Sequence, residues 1–422
     1  MKDKGTKKLL FIATRQFWPT AGGKDITLYY NCKGLYEECG YEIYLVCFID
    51  RNVDKVLEKP YFIKEVRYVE TPALLQSIGK ILEYSILGPQ WPFQNSLYYN
   101  KKIENSIMDY YREIEPSVVF FDMIRLVSYA NAFEKEPVKK IFVEDDSLAK
   151  RYKRQILASK TGNVIGQYGN NKSAIFNRVI NIRTIKNAIL RAEIKRIEKY
   201  EANCVGLFDY VTFISPIETR EYNCRYKTKK AVTLTMGADV EYFSKDIVCN
   251  IEPNSMSIVA NCTTAANADS IEMICRDILP KVQHQYNYKI VGKYNEELKK
   301  KIYANNVQFI GYVDDIRSIV KSTQIYLSPM SYGSGIKTKI VEAMAMGMTV
   351  VTNSIGAEGL DVENGRELFV IDDKEELVRT IDMLFDNPDL CKEMGKVAQK
   401  FVREKHSWSH VYKTFDLMEL HN

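Results

Sequence analysis

The sequence predicts an α/β protein built from two parallel-sheet domains, and three observations predict it. The first is length. At 422 residues the chain is too long for one ordinary core, and two domains of about 200 residues each are expected. The second is a β-turn-α-β unit late in the chain. An apolar run at 325–327 stops at Ser328-Pro329. Gly333-Ser334-Gly335 then offers residues free to take positive φ, and Ile336, Ile340, Ala343, Met344 and Gly347 mark one face of a helix. Residues 349–352 form a second apolar strand, so the connection is the right-handed crossover of a parallel sheet. The third observation is that the chain opens the same way. A strand at 8–14, a loop at 15–24, a helix from Gly22-Gly23 to about Cys39 and a strand at 41–49 make a Rossmann-like start. It lacks G-x-G-x-x-G, which argues against a dinucleotide cofactor.

Between these units the pattern is uneven. Residues 51–115 are the least legible, with a rigid loop at 88–92 and a helix at 95–111. Strands return at 117–121 and 138–143, each ending in acid: Asp122 after the first, Glu144-Asp145-Asp146 after the second. Such residues sit at the carboxyl edge of a parallel sheet, where ligands bind. Asp145 or Asp146 also suits the N-cap of a helix beginning near Ser147. A strand at 209–215 follows. The second domain alternates cleanly, with strands at 256–261, 288–291, 307–310 and 325–327 and helices at 268–286, 295–304, 314–322 and 336–346. Residues 374–422 read as helical.

Composition narrows the class. A hydrophobic content of 46% with 27% charged residues is that of a globular protein. No stretch approaches the roughly 18 apolar residues of a membrane span. The apolar residues 9–13 are too few for a signal-peptide core and are soon followed by Arg15, so a cytosolic protein is expected. The nine cysteines are scattered, and Cys32, Cys47 and Cys275 sit within apolar patterns as reduced core residues. With four histidines and no ligand spacing, neither a metal centre nor a Ser-His triad is expected. Residues 150–200 are strongly basic, opposed only by Glu193 and Glu198, and are interleaved with apolar residues. They read either as a solvated helix face or as a surface for anionic lipid head groups. No nucleic-acid motif accompanies the charge.

The chemistry concentrates at the start of the 336–346 helix. Its N-terminus offers unpaired N–H groups and partial positive charge. Lys337 and Lys339 placed there make a site for a diphosphate. Glu342, three residues after Lys339 on the same side, suits a ribose diol.

The string GSGIKTKIVEAMAMGMTVVTNSIGAEGL closely resembles the donor-site signature of GT-B glycosyltransferases, in the large retaining group called family 4, and of enzymes that build bacterial surface polysaccharides. The resemblance extends to VEDDSLAKRYKRQ, to MGADVEYF at 236–243 and to FVREKHSW at 401–408. It implies a GT-B fold: two Rossmann-like parallel-sheet domains facing across a cleft, an acceptor domain at 1–240, a donor domain at 241–404 and a helix at 405–422 returning to the first. It implies a retaining, metal-independent transfer of a sugar, of hexosyl class, from a nucleotide-sugar to a lipid-linked or growing glycan. No cofactor is implied.

For the donor the resemblance implicates Gly22, Gly23, Asn261, Gly292, Tyr312, Val313, Ser334, Gly335, Ile336, Lys337, Lys339, Glu342 and Glu358. Lys337, Lys339, Asp122 and Arg125 take the catalytic roles, and Lys24, Asp145 and Asp146 the acceptor. The chain departs from the pattern at Ser334, where many members carry a glutamate that contacts the donor sugar. It departs again at Ala260 and through NCTTAAN (261–267), which lacks the usual basic residues, so the phosphate load falls on Lys337 and Lys339. A non-catalytic GT-B subunit and a nucleotide-sugar epimerase on a similar scaffold are the alternatives.

Overall fold

A computed structural model of the chain describes residues 7–20, 23–50, 57–72, 79–157, 183–302, 304–333 and 335–415. Gly22, Ser334 and most of the basic stretch between 158 and 182 therefore lie outside the described residues. The chain divides into two compact units. Among the described residues, the first runs to Leu234 and takes back Tyr412–Phe415; the second runs from Thr235 to Val411, and Arg154 groups with it.

The first unit is built on a seven-stranded, all-parallel sheet. Its strands are β1 (Lys7–Ala13), β2 (Tyr41–Ile49), β3 (Ile63–Glu70), β4 (Val118–Asp122), β5 (Lys139–Asp145), β6 (Tyr210–Phe213) and β7 (Ala231–Thr233). They lie in the order β3-β2-β1-β4-β5-β6-β7. The central strands are apolar on both faces, as a sheet covered on both sides requires: Leu9 to Ala13 and Val118 to Phe121 are almost wholly buried. The strand order turns outward on either side of β1 and β4, which makes their carboxyl ends the switch point where such sheets bind ligands. The chain rejoins this unit late. The Tyr412 hydroxyl donates to Asn31 on the helix Gly23–Glu37. A Cβ added at Gly34 of that helix would lie 2.1 Å from the Tyr412 ring, so only glycine admits the ring there.

The second unit carries six parallel strands: β8 (Glu252–Val259), β9 (Asn287–Val291), β10 (Val307–Gly311), β11 (Thr323–Leu327), β12 (Thr349–Thr352) and β13 (Phe369–Val370). Their order is β10-β9-β8-β11-β12-β13, with the switch point between β8 and β11. All residues of β11 and β12 are buried.

Several elements differ from expectation. The helix read at 95–111 is two helices, Phe93–Tyr98 and Lys101–Ile114. Asn100 breaks the pattern because its side chain accepts from the Lys102 amide at 2.9 Å and so caps the second helix. The N-cap expected of Asp145 or Asp146 belongs to Ser147, whose hydroxyl accepts from the Lys150 amide. The helix read at 268–286 is helical in its first part, Ala265–Met273. It loosens into a wide turn, Ile274–Ile278, before Pro280 ends it. The helix at 314–322 shrinks to Arg317–Val320, because Asp315 turns its carboxylate onto the Arg317 amide and guanidinium.

Candidate functional site

In the second unit the sequence-predicted donor residues gather along one sheet edge. β11 delivers the chain to Ser328, and the following loop is pinned from both sides. Met330 donates to Asn353 Oδ1 at 3.0 Å and accepts from Asn353 Nδ2 at 2.8 Å, while Ser331 donates to Ser270 Oγ at 2.9 Å. Gly335 turns the chain with φ of 65°, and the helix Thr338–Ala345 begins. Lys337 is its N-cap, not a residue of its first turn, and no side chain caps the helix. The first amides and their partial positive charge thus lie at the turn.

The Lys337 ammonium bonds the Gly335 carbonyl at 2.5 Å. Lys339 Nζ grips both oxygens of Glu342, at 3.0 and 2.7 Å. Glu342 is buried, and that burial lifts its carboxyl above the ordinary range while Lys339 pulls the other way. Ile336 is buried beneath the turn. Glu358 lies in the loop after β12 and takes a two-pronged bond from Arg154, at 2.6 and 2.7 Å. Arg154 also donates to the Gly333 carbonyl, so a basic residue that sequence reasoning placed in a charge run fixes the glycine turn.

The remaining donor candidates follow β8, β9 and β10 at the same edge. Gly292 has φ of 125°, and a Cβ there would lie 2.2 Å from the Ala260 carbonyl oxygen, so the loops after β8 and β9 approach backbone to backbone. The loop after β8 closes on itself. Asn261 Oδ1 accepts from the Thr263 hydroxyl at 2.7 Å, and its carbonyl accepts from Asn267 Nδ2 at 3.0 Å. Tyr312 projects from the end of β10 with 68% of its surface exposed. Lys293 Nζ lies 6.0 Å from its ring, and Val313 is half-buried beside it.

The first unit brings a different set together. Thr14, just past β1, donates its amide to Asp122 Oδ2 at 3.0 Å. The Lys24 ammonium bonds both Asp122 and Asp145. Asp122 has no exposed surface. Burial alone would lower the Lys24 pKa and raise that of Asp122, but their mutual attraction wins: the lysine is raised and Asp122 is lowered, both charged. Burial holds Asp145 above the usual carboxylate range.

Asp146 stands apart and pairs with Arg151. Arg125 also points elsewhere, its Nη1 donating to the Tyr98 hydroxyl at 3.2 Å, and its buried Nε has no hydrogen-bond partner among the described residues. Gly23 opens the helix that carries Lys24. Sequence reading missed the depth of this unit's acidity. Glu144, Glu193, Glu201 and Glu218 are all buried, and burial pushes the Glu193 and Glu201 carboxyls up to about 7.

Comparison with known proteins fits this geometry. Residues 255–387 match the family described as Glycosyl transferases group 1. The matched residues lie within the second unit. An uncharacterised glycosyltransferase of Methanocaldococcus jannaschii is 31% identical over 147 residues, 32% of this chain and 38% of that protein. An uncharacterised 44.6 kDa protein in the cps region of Klebsiella pneumoniae is 29% identical over 125 residues, 28% and 32% of the two chains. The chain therefore matches about a third of the length of these relatives.

Solved structures match along the whole chain. Sucrose-phosphate synthase from Thermosynechococcus elongatus gives a TM-score of 0.66 at 13% identity, covering 98% of each chain. Anabaena HepE in complex with UDP and glucose gives 0.61 at 14%, covering 97% and 98%. The lipopolysaccharide outer core galactosyltransferase WaaB gives 0.61 at 13%, also covering 97% and 98%. At such identities the likeness concerns the fold, which is the two-domain GT-B fold.

Proposed function

We propose that the chain transfers a sugar, of hexosyl class, from a nucleotide-sugar to a lipid-linked or growing glycan, with retention and without a metal. One observation carries the reading. Within the residues that match group 1, an uncapped helix N-terminus at the switch point of the sheet presents Lys337 and Lys339 beside a buried Glu342. Helix amides and two ammonium groups suit the diphosphate that departs, stabilising charge as it develops rather than forming a bond. On donor binding Lys339 exchanges Glu342 for phosphate oxygen, and the carboxylate turns to the ribose diol. Tyr312 and Val313 border the base, Asn261 and Gly292 line the nucleotide, and Glu358 with Gly335 faces the sugar.

The first unit would present the acceptor, beside Asp122, Lys24, Asp145 and Asp146. The relative in a cps region and the lipopolysaccharide-building neighbour support a glycan acceptor of the cell envelope. No helix among the described residues is long and apolar enough to cross a membrane. A peripheral position on the inner face of the cell membrane, reached through the basic residues 150–200, completes the proposal.

The test is hydrolysis of a panel of nucleotide-sugars, with the anomer of the released sugar followed by NMR. Release of one sugar with retained configuration is expected. Binding of nucleoside diphosphate without turnover, even with cell-envelope acceptors supplied, would mark a non-catalytic subunit; interconversion of donor epimers would mark an epimerase.

A further inference from the structure

The first unit carries an apolar projection that its own core does not use. The wide helical turn Ile81–Leu87 holds three exposed aliphatic residues, Leu82 at 51%, Ile86 at 54% and Leu87 at 77%. Gly88, Pro89 and Gln90 continue the exposed run. The projection is firmly built. Trp91 stacks on Tyr84 with centroids 4.5 Å apart and donates its amide to the Tyr84 carbonyl at 2.9 Å. Ser85 and Ser96 share a buried hydrogen bond of 2.7 Å. A Cβ at Gly88 would lie 2.3 Å from the Glu83 carbonyl oxygen, so only glycine closes the turn this tightly.

The base of the projection rests on the helix Arg183–Leu207. Arg196 Nε donates to the Ser85 carbonyl at 3.2 Å, Lys199 Nζ to Gln90 Oε1 at 3.1 Å, and Glu193 accepts from the Phe93 amide at 2.6 Å. That helix buries Leu190, Ile194, Ile197 and Tyr200. It leaves Arg191, Lys195 and Lys199 exposed at four-residue spacing, which is one face. The acid on the projection, Glu83, is matched by Lys80 at 2.8 Å. A rigid aliphatic tip beside a row of cations results.

We propose that this tip and row dock on an anionic lipid surface, with Leu82, Ile86 and Leu87 entering the head-group boundary and Arg191, Lys195 and Lys199 meeting lipid phosphates. This rests on the reading above that the acceptor is met at a membrane, and it names the residues that do the meeting. Charge complementarity selects the occupant. The exposed cations call for an anionic partner, and a helical tip of branched aliphatic chains offers no groove to a peptide and no free strand edge to a sheet. Aliphatic insertion and phosphate contact reinforce each other, since each basic residue near such a surface adds attraction that salt screens.

The experiment is sedimentation of the full chain with vesicles of mixed phosphatidylglycerol and phosphatidylcholine, or of phosphatidylcholine alone. The wild type should pellet with the mixed vesicles at low salt and remain in solution with the neutral ones. Ile86→Ser with Leu87→Ser should weaken vesicle binding by about tenfold or more, and Lys195→Glu with Lys199→Glu by a similar factor, with circular dichroism unchanged. A wild type that ignores mixed vesicles overturns the proposal, as does an Ile86→Ser, Leu87→Ser variant that binds undiminished. A wild type that forms dimers dissolved by those serines, without binding vesicles, makes the tip a protein contact and also overturns it. Donor hydrolysis without vesicles is measured on the same preparations. Lost turnover with vesicle binding intact counts against the functional reading, and lost vesicle binding with turnover intact counts against the docking surface.

Discussion

The carboxyl edges of the two sheets answer the same problem in opposite ways. Both place a lysine at the switch point of a parallel sheet, near the start of a helix. In the first unit Lys24 is held between Asp122 and Asp145, and two buried carboxylates absorb its charge. In the second unit Lys339 has a single carboxylate partner among the described residues and keeps 39% of its side chain exposed. The first arrangement binds the sheet to itself, and the second can be undone by a better anion. A lysine at a sheet edge can therefore take a diphosphate only when its own protein leaves it short of negative charge.

The hardest blow to this contrast is Lys24→Met. It strands two carboxylates in the interior, and breaking a buried pair in this way costs about 3–5 kcal/mol. Calorimetry should show the first unit melting early while nucleoside diphosphate still protects the second. Equal loss in both units would mean that the edges are not independent.

A pH titration sharpens the same contrast, because the first unit holds acids that burial raises toward neutral pH. Glu193 and Glu201 ionise near 4.5 when exposed and about 7 in the fold. Each therefore contributes fully below its unfolded value and loses that contribution as pH rises toward about 7. Each is worth on the order of 3 kcal/mol by the size of its shift. The first unit's melting temperature should fall between pH 5 and pH 7.5, roughly, and Glu193→Gln with Glu201→Gln should flatten the slope. A slope unchanged in the double variant would place the titrating groups elsewhere.

Lys339→Ala tests the open edge. Loss of a charge-assisted bond to phosphate is worth about 1.5–3 kcal/mol, so nucleoside diphosphate binding should weaken ten- to hundredfold by calorimetry. Glu342→Gln should weaken nucleoside binding as well. Unchanged affinity in both would move the nucleotide off this helix. The smallest effect concerns Ser147→Ala, which removes a helix cap and should cost about 1 kcal/mol, read as a small drop in the first unit's melting temperature.

The sequence made the second sheet edge legible because its information is local. Glycine turn, lysines and Glu342 fall within one short segment, and the apolar runs of β11 and β12 flank it. The first edge could not be read in the same way. Lys24 finds its partners 98 and 121 positions away, and no pattern at that separation tells an ion pair from a ligand group. Glu193 and Glu201 hid for another reason: in a strongly basic run an isolated acid looks like surface balance, whereas Glu193 faces inward onto the Phe93 amide. Edge strands were lost as well. β3 (IKEVRYVE) is polar at its exposed positions, and β7 and β13 are only three and two residues long, too short for any periodicity.

The seat of Tyr412 against Gly34 has a consequence for how the protein is made. The helix that receives the ring precedes the second unit in the chain, and the ring arrives only after the whole second unit has been synthesised. A nascent first unit must wait with that seat unfilled, without the bonds that Tyr412 makes to Asn31 and Cys39. Domains emerging from synthesis normally fold in order from the N-terminus. Here the second unit is the earlier one able to finish, and a truncation just before Tyr412 would leave the first unit arrested at the stage it occupies during translation.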